Sequence, residues 1–167
     1  AYFAPYFKQT LSTSPSELSL LFGWFGGCGL LGNMLLSRRV DRMGADRAVN
    51  LSLLLISVSM LCWSMGTSLW LAALIITPWG LGMFATNSAQ QARLIHIAPA
   101  LASGSVALNT SAIYLGQAIG SAGGGWLIEH DGMRQLHWFG LAGVVLALLM
   151  SLLAARATRR ARRHTNA

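Results

Sequence analysis

Five long stretches of this chain carry no charged side chain, and that restricts what it can become more than any other feature. Leu18 to Leu36, Ala48 to Met65, Ser68 to Ala92, Ala100 to Ile128 and Leu136 to Ala155 are apolar blocks without the one-sided stripe of a helix on a soluble core. An α-helix needs about 20 such residues to cross a hydrocarbon layer about 30 Å thick. Lipid offers the backbone no hydrogen bonds, so a spanning segment must satisfy its own, as a helix does. Hydrophobic residues are 54% of the 167 and charged residues 10%, against about 25% charged in soluble domains. The expectation is an all-α membrane protein, a polytopic transmembrane helix bundle occupying residues 1–167, with a basic tail over 156–167.

The net charge of +7 is distributed by side. Taking the spans in order, one face of the membrane receives Arg38, Arg39, Arg42 and Arg47, then Arg93, then Arg156, Arg159, Arg160, Arg162 and Arg163, ten of the twelve basic residues. The other receives Lys8 and Arg134 with Glu17, Glu129 and Asp131. By the positive-inside rule the first face is cytoplasmic. This places the chain in the cell (inner) membrane with its C-terminus in the cytoplasm, where the tail meets anionic lipid headgroups. The charge is thereby accounted for, and no nucleic-acid partner is expected.

The stretch GQAIGSAGGGW, residues 116 to 126, holds five glycines, although glycine in a helix costs about 1 kcal/mol relative to alanine. Gly116, Gly120 and Gly124 recur at four-residue spacing, which in lipid lets helix backbones approach closely. Gly23 and Gly27 repeat the pattern in the first span. Cys28 and Cys62 fall inside spans without metal-ligand or redox spacing and read as small packing residues. The opening AYFAPYF is too short to span and reads as the end of a helix, so the chain reads as a fragment, with a processed terminus as the alternative.

Between the first two spans runs SRRVDRMGADR, residues 37 to 47. Asp41 can cap a helix or pair with an arginine, Gly44 permits a left-handed turn, and Arg42 and Arg47 hold the basic side. The order Asp41-Arg42-x-Gly44-x-x-Arg47 resembles the signature loop of the major facilitator superfamily, G-x-x-x-D-R-x-G-R-R, with Ser37 in place of the leading glycine and Ala45-Asp46 where a basic pair usually begins. The departure fits the weaker second copy of that loop, between helices eight and nine. Residues 92 to 134 are similar to helix ten, the following turn and helix eleven of drug:proton antiporter and sugar or purine efflux members, in Pro99, Gly104 and the run from Gly116 to Gly125. The resemblance implies half of a twelve-helix fold, the end of helix seven to helix twelve, with the N-terminal half missing from this chain. It implies that the loop acts as a conformational latch.

The resemblance further implies a central cavity faced by helices seven, eight, ten and eleven, which makes Trp79, Asn109, Tyr114 and Gln117 the candidates to line it, with Asn87 and Gln90 behind them. Pro78 beside Trp79 removes a backbone donor and kinks its helix. No Asp, Glu, Lys or Arg occurs over residues 48–92 or 97–128. A proton-carrying carboxylate, the usual carrier inside membranes, is therefore expected in the other half. His96 and His137, near the span ends, read as solvated or capping groups. The function expected is secondary active transport by alternating access, a proton-coupled efflux of a small organic molecule such as a drug, sugar or nucleoside, without cofactor or metal. A non-transporting membrane sensor or scaffold of the same fold is the alternative. An integral-membrane enzyme fits less well, because no span carries a nucleophile with a base or metal-ligand spacing.

Overall fold

A computed structural model describes residues 2–165, and side chains throughout except those of Asp41 and residues 159–165. The described residues form six α-helices, named here α1 (Phe3–Leu11), α2 (Pro15–Met43), α3 (Ala45–Cys62), α4 (Leu69–Ile97), α5 (Ala102–Glu129) and α6 (Leu136–Thr165). Short 3-10 turns at Trp63–Met65, Pro99–Leu101 and Met133–Gln135 join them. The all-helical membrane bundle expected from the charge-free blocks is what forms.

Local chemistry sets the boundaries. The α1–α2 corner turns at Ser12 in left-handed backbone, and α2 begins with a capping box. The Ser14 hydroxyl accepts from the Glu17 amide at 3.3 Å while the Glu17 carboxylate accepts from the Ser14 amide at 2.8 Å, with Pro15 in the first turn. Glu17, read in sequence only as an outer-face charge, is thus a helix-starting group. At the far end α2 runs through Met43, so SRRVDRM is helix and Gly44 alone makes the turn, at φ 84. The sequence reading placed a loop over residues 37–47. A single residue in the left-handed region suffices to reverse the chain, and only glycine takes that position without cost.

Among the described residues, four helical segments are long and apolar enough to cross a membrane: Pro15–Val40, Ala45–Met65, Leu69–Ile97 and Met133–Thr158. The remaining expected crossing, α5, is 28 residues long but is diluted by Ser103, Ser105, Asn109, Thr110, Ser111 and Gln117 among its glycines, and falls outside that set. It also buries only Gly124, whereas α3 buries eight residues.

The centre of the bundle is α4, wedged between α2 and α3, with α6 against the other side of α3. Close approach makes the wedge possible. A methyl group at Gly82 would sit 2.5 Å from the Ser52 carbonyl oxygen of α3, and one at Gly32 would collide with the Leu81 backbone of α4. Neither glycine stood out in the sequence. Of those that did, Gly23, Gly27, Gly116 and Gly120 have open space around them, and Gly124 is covered by the Tyr2 ring. Two apolar clusters complete the core. One joins Phe7, Leu21, Ile56, Met60, Trp63, Ala72, Ile76 and Leu141 toward the Ser14 end, and the other joins Ala48, Val49, Leu53 and Ala89 toward the Gly44 end. Large apolar side chains such as Trp70 (83% exposed), Leu74 and Leu146 point outward, as lipid-facing residues do.

Candidate functional site

Pro78 sits inside α4 and cannot donate to the carbonyl four residues back. Just before it, Thr77 turns its hydroxyl onto the Ala73 carbonyl at 2.8 Å, and the Trp24 indole of α2 donates to the Thr77 hydroxyl at 2.9 Å and to Ala73 O at 3.1 Å. The proline segment is thereby tied across to α2. Trp79, next in sequence, enters an aromatic wall: its ring centroid lies 4.8 Å from Phe25, 5.5 Å from Trp63 and 6.1 Å from Phe3.

That wall borders a cavity of about 660 Å³ between α1, α3, α4, α5 and α6, lined in part by Tyr6, Trp63, Trp79, His137, Gly116 and Gly120. The volume is that of a small-molecule site. His137 is 6% exposed, and among the described residues neither ring nitrogen has a hydrogen-bond partner. The sequence reading made it a solvated or capping residue; the α6 start instead turns it inward, because the 3-10 turn at Met133–Gln135 adds its own residues to the surface end of the helix. His96 is exposed, as its place at the end of α4 suggested.

The four cavity candidates do not converge. Trp79 lines the aromatic cavity, while Tyr114 and Gln117 are exposed on α5 and are not among its lining residues. Asn109 is half-buried with its amide nitrogen lacking a partner. A second polar link, absent from the sequence reading, crosses from α4 to α2: the Ser88 hydroxyl donates to Asn33 Oδ1 at 2.8 Å, and Ser37 reaches the same oxygen at 3.5 Å. Asn87 pairs along its own helix with Gln91 at 3.4 Å.

At the Gly44 end, Arg42 and Arg47 are exposed, and the Asp41 side chain lies outside the described residues. The charge contact that forms is one the sequence reading missed. Arg93 of α4, 5% exposed, meets Asp46 of α3 at 2.7 Å through Nε. Its Nη1 donates to the Ser151 hydroxyl of α6 at 2.8 Å and its Nη2 to the Ser151 carbonyl at 3.1 Å. The Ser151 hydroxyl in turn donates to Asn50 Oδ1 of α3 at 2.6 Å. The signal was present in the sequence as one arginine closing a charge-free run, opposite one aspartate at a helix start.

Comparison with known proteins gives this arrangement its family. Among the curated relatives that match are the uncharacterized MFS-type transporter YbcL of Bacillus subtilis (strain 168), 26% identical over 153 residues, and a probable sugar efflux transporter of Helicobacter pylori (strain HPAG1), 26% identical over 148 residues. The matches take in 91% and 89% of this chain but 39% and 38% of the relatives, so the chain spans about two fifths of their length. No solved structure matches the chain. The profile of the Major Facilitator Superfamily matches residues 1–167 from end to end, and the chain belongs to that superfamily of membrane transporters.

Proposed function

We propose that this chain is the C-terminal half of a twelve-helix secondary transporter that exports a small organic molecule by alternating access, driven by a proton gradient. The observation that carries the reading is the uneven surface of the bundle. α2 and α4 are fastened to each other by Trp24–Thr77 and Asn33–Ser88, while α5 leaves Tyr114, Gln117, Gly116 and Gly120 uncovered. A polar, glycine-rich helix with so little buried surface fits a crossing that faces an aqueous cavity and a second bundle, whereas a lipid-facing helix is apolar all round. On this reading α5 is the fourth of five crossings despite its lower apolarity, and Asn109, Tyr114 and Gln117 face the substrate path with Trp79 at its aromatic edge. Gly23, Gly27, Gly116 and Gly120, open on this bundle, form the seam with the N-terminal half, while Gly124 packs inside the bundle under Tyr2.

The asymmetry of arginine supports a cytoplasmic Gly44 end and a bundle in the cell membrane. The charge-free run over 48–92 leaves proton coupling to a carboxylate of the other half. The name of the Helicobacter relative supports efflux of a sugar-like or similarly sized substrate.

The test is efflux from energised everted vesicles carrying the full-length protein, with a panel of sugars, nucleosides and cationic drugs. Accumulation that collapses when an uncoupler dissipates the proton gradient supports the reading. Binding without movement of any substrate, in protein that is folded and inserted, favours a sensor of the same fold.

A further inference from the structure

Of the basic side chains described, Arg93 alone is buried. A buried cation is costly unless it is both paired and hydrogen-bonded, and Arg93 is both. Asp46 supplies the negative charge at Nε, and Ser151 takes the other edge of the guanidinium through its hydroxyl and its carbonyl. Ser151 then returns to α3 through Asn50, four residues beyond Asp46. The contacts close a ring: Asp46 on α3, Arg93 on α4, Ser151 on α6, and Asn50 on α3 again.

The ring sits directly behind the turn. Asp46 is the second residue of α3, two positions after Gly44, so whatever holds Asp46 also fixes where α2 reverses. The exposed Arg42 and Arg47 supply no such anchor, since surface charges are screened and free to swing. The apolar cluster of Ala48, Val49, Leu53 and Ala89 lies next to the ring, with Val40 and Met43 of α2 and Leu148 of α6 packed against it. Packed cores of this kind have discrete arrangements and do not deform continuously.

We propose that Arg93 is a positioning residue of the transport cycle: through Asp46 and Ser151 it fastens the Gly44 turn to α4 and α6, so that these helix ends move as one block. The proposal rests on the reading of the chain as half of a transporter. Arginine is required because one planar fork engages a carboxylate along one edge and a hydroxyl and a carbonyl along the other; a lysine ammonium is a point charge and cannot span them.

The experiment measures turnover per folded molecule and KM in the full-length protein. Arg93→Lys keeps the charge and is expected to lower turnover about tenfold, within the range typical of coupling between elements, with KM and membrane abundance held. A role in folding alone would change abundance and leave per-molecule turnover intact. Asp46→Asn and Ser151→Ala do not touch one another, yet both act through Arg93, so their combined loss is expected to be smaller than the product of the separate losses. Wild-type turnover in Arg93→Lys, or losses that multiply as independent effects, would overturn the proposal. If the wild-type protein moves no substrate, the transport reading fails separately, and the same cycle is read from melting temperatures in detergent. Independent shifts there overturn the ring itself, and coupled shifts retain it.

Discussion

Substituting Gly82 by alanine tests the packing on which the rest of the bundle depends. The new methyl carbon would lie 2.5 Å from the Ser52 carbonyl oxygen and 3.0 Å from Ile56 Cγ1, where ordinary contact begins near 3.4 Å. The Ser52 carbonyl belongs to the α3 backbone and cannot rotate aside, so relief requires α3 and α4 to part by roughly an ångström. A second link between the same helices, the Ser59 hydroxyl on the Ile75 carbonyl at 2.7 Å, would be drawn toward the limit of hydrogen bonding. Overpacking costs about 1–3 kcal/mol, the weakened bond adds up to about 1 kcal/mol, and better helix propensity returns about 1 kcal/mol. The net expectation is a loss of about 1–3 kcal/mol, seen as a melting temperature lower by several degrees in the detergent-solubilised full-length protein. Gly26→Ala is the control, because nothing lies within 4 Å of its new methyl. If Gly82→Ala melts with Gly26→Ala or above it, α4 is not wedged against α3 as described.

Further substitutions test the other readings. His137→Phe removes two unpartnered nitrogens from an almost fully buried site and should raise stability by about 1–3 kcal/mol; an unchanged or lower melting temperature would mean that the imidazole has a partner in the whole protein. Trp79→Ala should cost about 3–5 kcal/mol by emptying the ring position between Phe25 and Trp63, so substrate preference is read from Trp79→Phe and Asn109→Ala. Each should shift preference among a substrate panel more than membrane abundance, and normal profiles in both would make these side chains packing. Asp41→Asn should slow efflux at normal expression, and unchanged efflux would remove this residue from the conformational cycle.

Some of this was legible in the sequence and some was not, for separable reasons. Charge-free blocks reveal helices because the constraint acts on every residue of a span, and the Asp-Arg-x-Gly order marked the turn because only glycine takes φ 84 without strain there. The extent of α2 is hidden because arginines suit a loop, although a helix carries them equally well once it emerges from lipid. Gly32 and Gly82 do not stand out because, unlike Gly23 and Gly27, they carry no mark of their own among neighbouring glycines; their meaning lies in which backbone crosses them. The Asp46–Arg93 pair joins residues 47 positions apart in sequence, and side assignment by charge count treats every arginine as solvated. Trp79, Asn109, Tyr114 and Gln117 were grouped by residue type and mid-span position, which cannot say on which side of a helix each one lies.

The central claim is that the chain crosses the membrane five times, with α5 as the fourth crossing and the partly open face of a half-transporter. Substituted-cysteine labelling in intact cells tests it, with single cysteines placed in the full-length protein at Ser16, Ala45, Thr67, Ala98 and His130 after Cys28 and Cys62 are replaced. The account predicts that an impermeant maleimide reaches Ser16, Thr67 and His130 from outside and reaches Ala45 and Ala98 only after permeabilisation. Labelling of Ala98 and His130 from the same side would mean that α5 does not cross, and the half-transporter account would be wrong.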